Sequence, residues 1–256
     1  MSVASDRERL VPTVSTILGV SESVAQGVVV AFDEIVARPL QANLAKKKGR
    51  DLAKRNPMIY TTRGISTVDA WVDRSLEDWE TSAIEGHIGT WMEEVARIVS
   101  GGIKPGSGVD LQIERPGNPA VVELYALQAA PNTKSAGGSR SDLDSLRRGA
   151  SALRAGRRVV ETYVAVLHGR STSAPVGADP GVTKIGSDDA WTKITEIPEF
   201  RVRLLEATTE LATLVQGRSA GDVARIKAEA RLIFGDANGA LRLDTLANPP
   251  RGRARG

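Results

Sequence analysis

Asp110, Glu123 and Gln128 fall close together in the middle of the chain, Asp110 in the run Val109-Asp110-Leu111-Gln112-Ile113-Glu114 and the other two within Ala120 to Ala129. Carboxylates and an amide gathered at one point can hold a hard cation such as Mg2+ and orient water or phosphate. Metal-assisted hydrolysis of a phosphodiester requires such a set. Glu85 and Glu93 stand roughly two helical turns apart ahead of these runs and are further candidates for the metal. Glu123 and Gln128 are five residues apart, on opposite faces of a regular strand, so a bulge or bend is expected if both are to reach one ion. Taken without their neighbours, Asp110 and Glu123 fit an ordinary hairpin better, and Glu85 and Glu93 a solvated helix face.

The elements that must position these residues are legible from periodicity. Val109 to Glu114 alternates as a half-buried strand should, Pro116-Gly117-Asn118-Pro119 supplies a turn, and the apolar Ala120 to Ala129 reads as a second, central strand. Arg158 to Leu167 reads as a third, buried strand, after a helix that Ser139 or Ser141 can cap and that runs to Ala155. Ahead of the hairpin, apolar residues at three- and four-residue steps predict an amphipathic helix over Ser21 to Leu52, interrupted near Pro39. Two further helices are expected over Ser66 to Trp79 and from Thr81-Ser82 to Ser100, with the tryptophans in the core. Gly169 to Gly186 reads as a polar loop, followed by helices around Asp188 to Thr195, Glu199 to Gln216 and Ala220 to Phe234. The expected organisation is an N-terminal helical region over 1–55, an α/β core with C-terminal helices over 56–235 and a flexible basic tail over 236–256.

Composition narrows the chemistry. There is no cysteine, which removes disulfides, thiolate metal sites and cysteine nucleophiles together and suits a reducing cytoplasm. Two histidines, His87 and His168, are too few to build a zinc site, so any metal is expected to be a hard cation on carboxylates. No segment approaches the ~20 apolar residues of a membrane helix, and the charged N-terminal stretch is unlike a signal peptide. The formal net charge is only +3, yet Lys134, Arg140, Arg147, Arg148, Arg154, Arg157 and Arg158 crowd one loop and helix, with Asp142 and Asp144 as the nearby opposition. That segment is the best candidate for a polyanion-facing surface; Asn132 and Thr133, just before it, are either phosphate contacts or simple turn chemistry.

Val109-Asp110-Leu111-Gln112, the turn, and then Leu124-Tyr125-Ala126-Leu127-Gln128-Ala129-Ala130-Pro131-Asn132-Thr133 resemble the core of type II restriction endonucleases of the PD-(D/E)xK superfamily, whose second strand runs into a Lys-Ser-Gly-Pro-Asn-Thr-like motif. Arg55-Asn56-Pro57-Met58, Glu85 through Glu93, Val164 through Arg170 and Asp189-Ala190-Trp191 are similar to further segments of such enzymes, in order, over roughly Asn56 to Leu205. Departures from the pattern that bear on the chemistry are Gln128 where the family has lysine, Ala126 where the acid of the short motif would fall, and Ala130 where the family has glycine before Pro-Asn. A glutamine can hydrogen-bond water or phosphate but carries no charge.

The resemblance implies a small central mixed sheet flanked by helices, with N- and C-terminal helical additions. It also implies sequence-specific, Mg2+-dependent double-strand cleavage of DNA by a homodimer. On that reading Asp110 and one of Glu123, Glu85 and Glu93 hold the metal and Gln128 orients water or phosphate. Asn132, Thr133, Lys134, Arg140, Arg147 and Arg154 then face double-stranded DNA. Loss of the lysine and the acid leaves open a catalytically degenerate relative that binds DNA or a protein partner on the same scaffold. A basic helical interaction protein without a central sheet is a third possibility.

Overall fold

A computed structural model of the chain describes residues 3–54, 56–106, 108–118, 120–130, 136–156, 158–169, 173–176, 179–215 and 220–249. The N-terminal helices are α1 (Val3–Leu18), α2 (Glu22–Phe32) and α3 (Arg38–Lys46); short α4 (Met58–Thr61) and long α5 (Val68–Ser100) follow. The strands β1 (Leu111–Glu114) and β2 (Val121–Gln128), helix α6 (Ala136–Ala155), and strands β3 (Val159–Val166), β4 (Ala174–Val176) and β5 (Asp179–Ile185) make the centre. Helices α7 (Ser187–Thr195), α8 (Phe200–Leu211), α9 (Ala220–Phe234) and α10 (Leu243–Ala247) complete the described chain. No single helix among the described residues is long and apolar enough to cross a membrane.

The five strands form one mixed sheet in the order β1-β2-β3-β5-β4. β1 and β2 are the expected antiparallel hairpin, with Leu111 opposite Tyr125 and Glu114 opposite Val122. β2 and β3 run parallel through the register Val121↔Val159 to Gln128↔Val166, with α6 as the crossover. Parallel strands need such a crossover, and burial of both faces explains why β2 reads as a nearly continuous apolar run. One face packs on α6 through Val122, Leu124, Ala126, Val160 and Val164 against Leu146 and Ala150.

The structure refines or corrects the sequence reading at several places. Gly169 to Gly186, read as a loop, contains β4 and β5; β5 joins β3 in parallel and buries Val182 and Ile185, which its polar and Gly/Pro-rich flanks conceal. The two helices expected around a break at Thr81-Ser82 are the single helix α5. There the hydroxyls of Thr81 and Ser82 donate back to the carbonyls of Glu77 (2.9 Å) and Asp78 (3.0 Å) within the helix rather than capping a new one. The interruption expected near Pro39 is present as a π-helical turn, Asp33–Ala37, ending two residues before the proline, where a missing N–H and a crowded carbonyl favour a wider turn. Finally, part of the tail expected over 236–256 is built into the fold: Leu241 and Leu246 are buried against Tyr60, Trp71 and Phe234.

The chain divides into two compact units, and the division is not the linear one expected from sequence. One unit comprises Met1–Ile35 and His87–Leu214 and carries the sheet; the other comprises Val36–Gly86 and Val215–Gly256 and is helical. In the sheet unit α1 packs on α2 and α8, and buried Asp33 is held by the guanidinium of Arg7, whose Nε donates at 2.7 Å. In the helical unit Trp71 stands edge-on to Phe234 at 5.0 Å and to Tyr60 at 6.2 Å. Trp71, Trp91 and Trp191 are buried, as core tryptophans should be, whereas Trp79 is partly buried beneath the ammonium of Lys47, 4.5 Å from its ring.

Candidate active site at the end of strand β2

Asp110 sits just before β1. Its backbone N–H donates to the Tyr125 carbonyl at 3.1 Å, and its side-chain Oδ2 accepts from the Leu127 N–H at 2.8 Å. The carboxylate therefore replaces the next ladder partner that β1, starting only at Leu111, does not supply. By register, Asp110 stands level with Ala126, one step beyond the pair Leu111↔Tyr125. Gln128 lies two residues further along the same side of β2, is only 8% exposed, and turns its Nε2 to Asp142 of α6 at 3.5 Å. Asp110 and Gln128 thus both lie at the C-terminal end of β2, Asp110 bonded to the Leu127 backbone and Gln128 turned to α6.

Glu123 does not join them, which corrects its expected place among the metal-holding and catalytic residues. Alternation along β2 sends it to the opposite face, where it is 5% exposed and fully engaged. Its Oε2 accepts from Arg115 Nη2 and from the Tyr125 hydroxyl, both at 2.9 Å, and its Oε1 lies 3.0 Å from Lys193 Nζ. Lys193 also donates to Glu161 at 3.2 Å, and Arg115 continues to the carbonyls of Lys193 and Ile194, tying α7 to the sheet. The stacked rings of Tyr125 and Tyr163, 5.2 Å apart, complete the group. Burial pushes the Tyr125 hydroxyl far above its usual range, helped by the Glu123 charge. Burial opposes the Lys193 ammonium, but its bonds to Glu123, Tyr163 and Glu161 together hold its pKa above the ordinary lysine value. The hydrogen bond from Tyr163 and the contact with Lys193 hold the Glu161 carboxyl below its usual range. This side of the sheet is a charge-compensated structural network.

The two α5 glutamates separate as well. Glu85 is exposed and belongs to the helical unit. Glu93 is half-buried in the sheet unit, one turn beyond Gly89, where an added Cβ would lie 3.2 Å from the Ala129 side chain. Glu93 is thereby placed near the end of β2 that carries Gln128. Among the described residues no three carboxylate or imidazole groups converge closely enough to hold a metal ion by themselves. His168 is exposed and His87 half-buried, and neither belongs to such a group.

Asn132, Thr133 and Lys134 lie outside the described residues. Arg140, Arg147 and Arg154 are exposed and, seven residues apart in turn, share one solvent stripe of α6. Arg147 also pairs with Asp144 at 3.2 Å, and Arg154 Nη2 lies 3.5 Å from the Val160 carbonyl. What the sequence reading missed is the approach of Asp142 to Gln128. Its only signal was position: Asp142 lies one turn ahead of buried Ser145 and Leu146 on an otherwise apolar helix face.

A mixed five-stranded sheet flanked by helices, with Asp110 and Gln128 at the end of its strand β2, defines a restriction-endonuclease-like α/β core. A family model described as type II restriction endonuclease EcoO109I matches residues 23–213, and the chain belongs to that family of DNA endonucleases. No match was found among curated proteins.

Proposed function

We propose that the protein is a Mg2+-dependent restriction endonuclease of the PD-(D/E)xK type that makes sequence-specific double-strand cuts and works as a homodimer, one active site for each DNA strand. The observation that carries this reading is the bond from Leu127 N–H to Asp110: it sets the carboxylate against the Ala126-Leu127-Gln128 stretch that corresponds to the superfamily's second motif. The donors there are carboxylate and amide oxygens, a hard set that suits Mg2+, which commonly takes one or two protein carboxylates and completes its shell with water and phosphate. Asp110 would hold the ion, and Glu93, one turn beyond the Gly89 that faces Ala129, is a candidate second carboxylate. A bound Mg2+ supplies charge neutralisation at a phosphate oxygen and acidifies water. Gln128 orients a water or phosphate by hydrogen bonding, and the stripe of Arg140, Arg147 and Arg154 attracts the backbone of double-stranded DNA.

The direct test is incubation of unmethylated genomic and plasmid DNA with the protein and Mg2+, alongside Asp110→Ala. Discrete fragments that disappear in the variant and on chelation are expected. A second reading, a degenerate relative that binds DNA without cutting it, draws support from Ala126 and from a neutral, buried Gln128 where the family has lysine. Salt-sensitive binding with intact DNA in every condition would select it.

A further inference from the structure

We propose that Asp142 of α6 supplies the second metal-holding carboxylate of the site, in place of the acid missing at Ala126. This rests on the reading of the β2 end as a Mg2+ site. Helix α6 lies across the face of the sheet that bears Leu124, Ala126 and Gln128, anchored by Leu146 and Ala150 in the apolar layer beneath it. One turn before Leu146, half-buried Asp142 brings its Oδ2 to 3.5 Å from Gln128 Nε2. At Ser145 the same helix closes on the loop that leads into Asp110: a Cβ on Gly108, whose φ is +80°, would lie 3.1 Å from the Ser145 Oγ. Val109, the residue between, is buried in the same layer as Leu146.

Asp110 is therefore bracketed by one turn of α6. Gly108, two residues before it, meets Ser145, and its bonding partner Leu127 adjoins Gln128, which meets Asp142. An acid carried on the strand at position 126 would approach the ion from within the sheet; Asp142 reaches the same strand end from the covering helix. The other acids are less well placed: Glu123 is on the far face and neutralised, Glu85 belongs to the helical unit, and Glu93 is placed only through its helix neighbour Gly89. Because a carboxylate can accept only from Nε2, the contact with Asp142 also fixes the amide of Gln128 with Oε1 turned elsewhere.

The experiment is a titration of the full-length chain with Mn2+, the free ion read by electron paramagnetic resonance, for the parent, Asp142→Asn, Asp110→Asn and Asp144→Asn, with circular dichroism to verify folding. Asp144 lies on the exposed stripe of the same helix and carries the same charge, so its variant controls for general electrostatics. The expected result is a tenfold or greater weakening for Asp142→Asn and Asp110→Asn, and a change of less than twofold for Asp144→Asn. If Asp110→Asn loses Mn2+ while Asp142→Asn binds within twofold of the parent, Asp142 is not a metal-holding residue although the site stands. Equal weakening by Asp142→Asn and Asp144→Asn would reduce the effect to bulk charge and likewise overturn the assignment. A parent chain that takes up no Mn2+ overturns both the assignment and the site.

Discussion

β2 presents two carboxylate environments, one at each end and on opposite faces, and they have opposite characters. Around Glu123 every charge has a close partner: Arg115 and Lys193 neutralise it, Tyr125 donates to it, and α7 closes over the group. At Asp110 one carboxylate is satisfied by a single backbone N–H, beside a buried but uncharged Gln128 and an alanine where an acid is expected. The first environment has spent its electrostatics on holding the fold together. The second keeps the ligand capacity that the proposed hydrolytic site requires.

The contrast breaks most visibly if function and stability do not separate between the two ends. Asp110→Asn keeps an acceptor for the Leu127 N–H but removes the charge. It is expected to lower the cleavage rate by about 10²–10³-fold or more while leaving the thermal midpoint near the parent's, as DNA-cleavage kinetics and a melt will show. Glu123→Ala should do the reverse. Removing one member of a buried ion pair costs about 3–5 kcal/mol, toward the lower end here because Lys193 is partly exposed. That corresponds to a fall of roughly 6–20 °C in thermal midpoint for a chain of this size. Cleavage per folded molecule should persist; a tenfold loss of rate in a well-folded Glu123→Gln variant would place catalysis on the wrong face of the sheet.

Smaller effects sharpen the picture. Arg147→Ala should weaken DNA binding several-fold at moderate salt and reduce the slope of log affinity against log salt by about 0.9, the effect of one phosphate contact. An unchanged slope would remove Arg147 from the DNA-facing stripe. Glu161→Gln probes the compensated end through pH. The Glu161 pKa is depressed in the folded protein, so its stabilisation is fully present above the unfolded value and is lost as pH falls through the folded one. At neutral pH the variant should be less stable by on the order of 1 kcal/mol or less, since the pair is half-exposed. The difference should vanish on acidification below the ordinary glutamate range. Melts across pH 3 to 8 that stay parallel for the two proteins would show that Glu161 contributes nothing through its charge.

Local pattern made much of the fold readable. Alternation in Val109 to Glu114, the apolar run of β2 and the Arg158 to Leu167 strand are backbone periodicities that burial imposes on the residues themselves, and the hairpin and third strand lie where those patterns put them. β5 was hidden because an edge-proximal strand with glycine, proline and lysine has no apolar run to announce it. The continuity of α5 through Thr81-Ser82 depended on whether two hydroxyls would bond backward or cap forward, and both are ordinary chemistry for those residues.

The sequence by itself determined which residue types were available: no thiols, two histidines, an aspartate before a strand, and a glutamine flanked by alanines at the end of the next strand. Only the tertiary structure decided which of them meet. Strand parity sent Glu123 away from Asp110, yet parity becomes function only when the helix covering each face is known. Lys193 on one side and Asp142 on the other come from helices outside the hairpin whose residues they touch. Periodicity is a property of neighbouring residues and can be read along the chain. Convergence of side chains depends on how separate elements pack, and no local spacing encodes it.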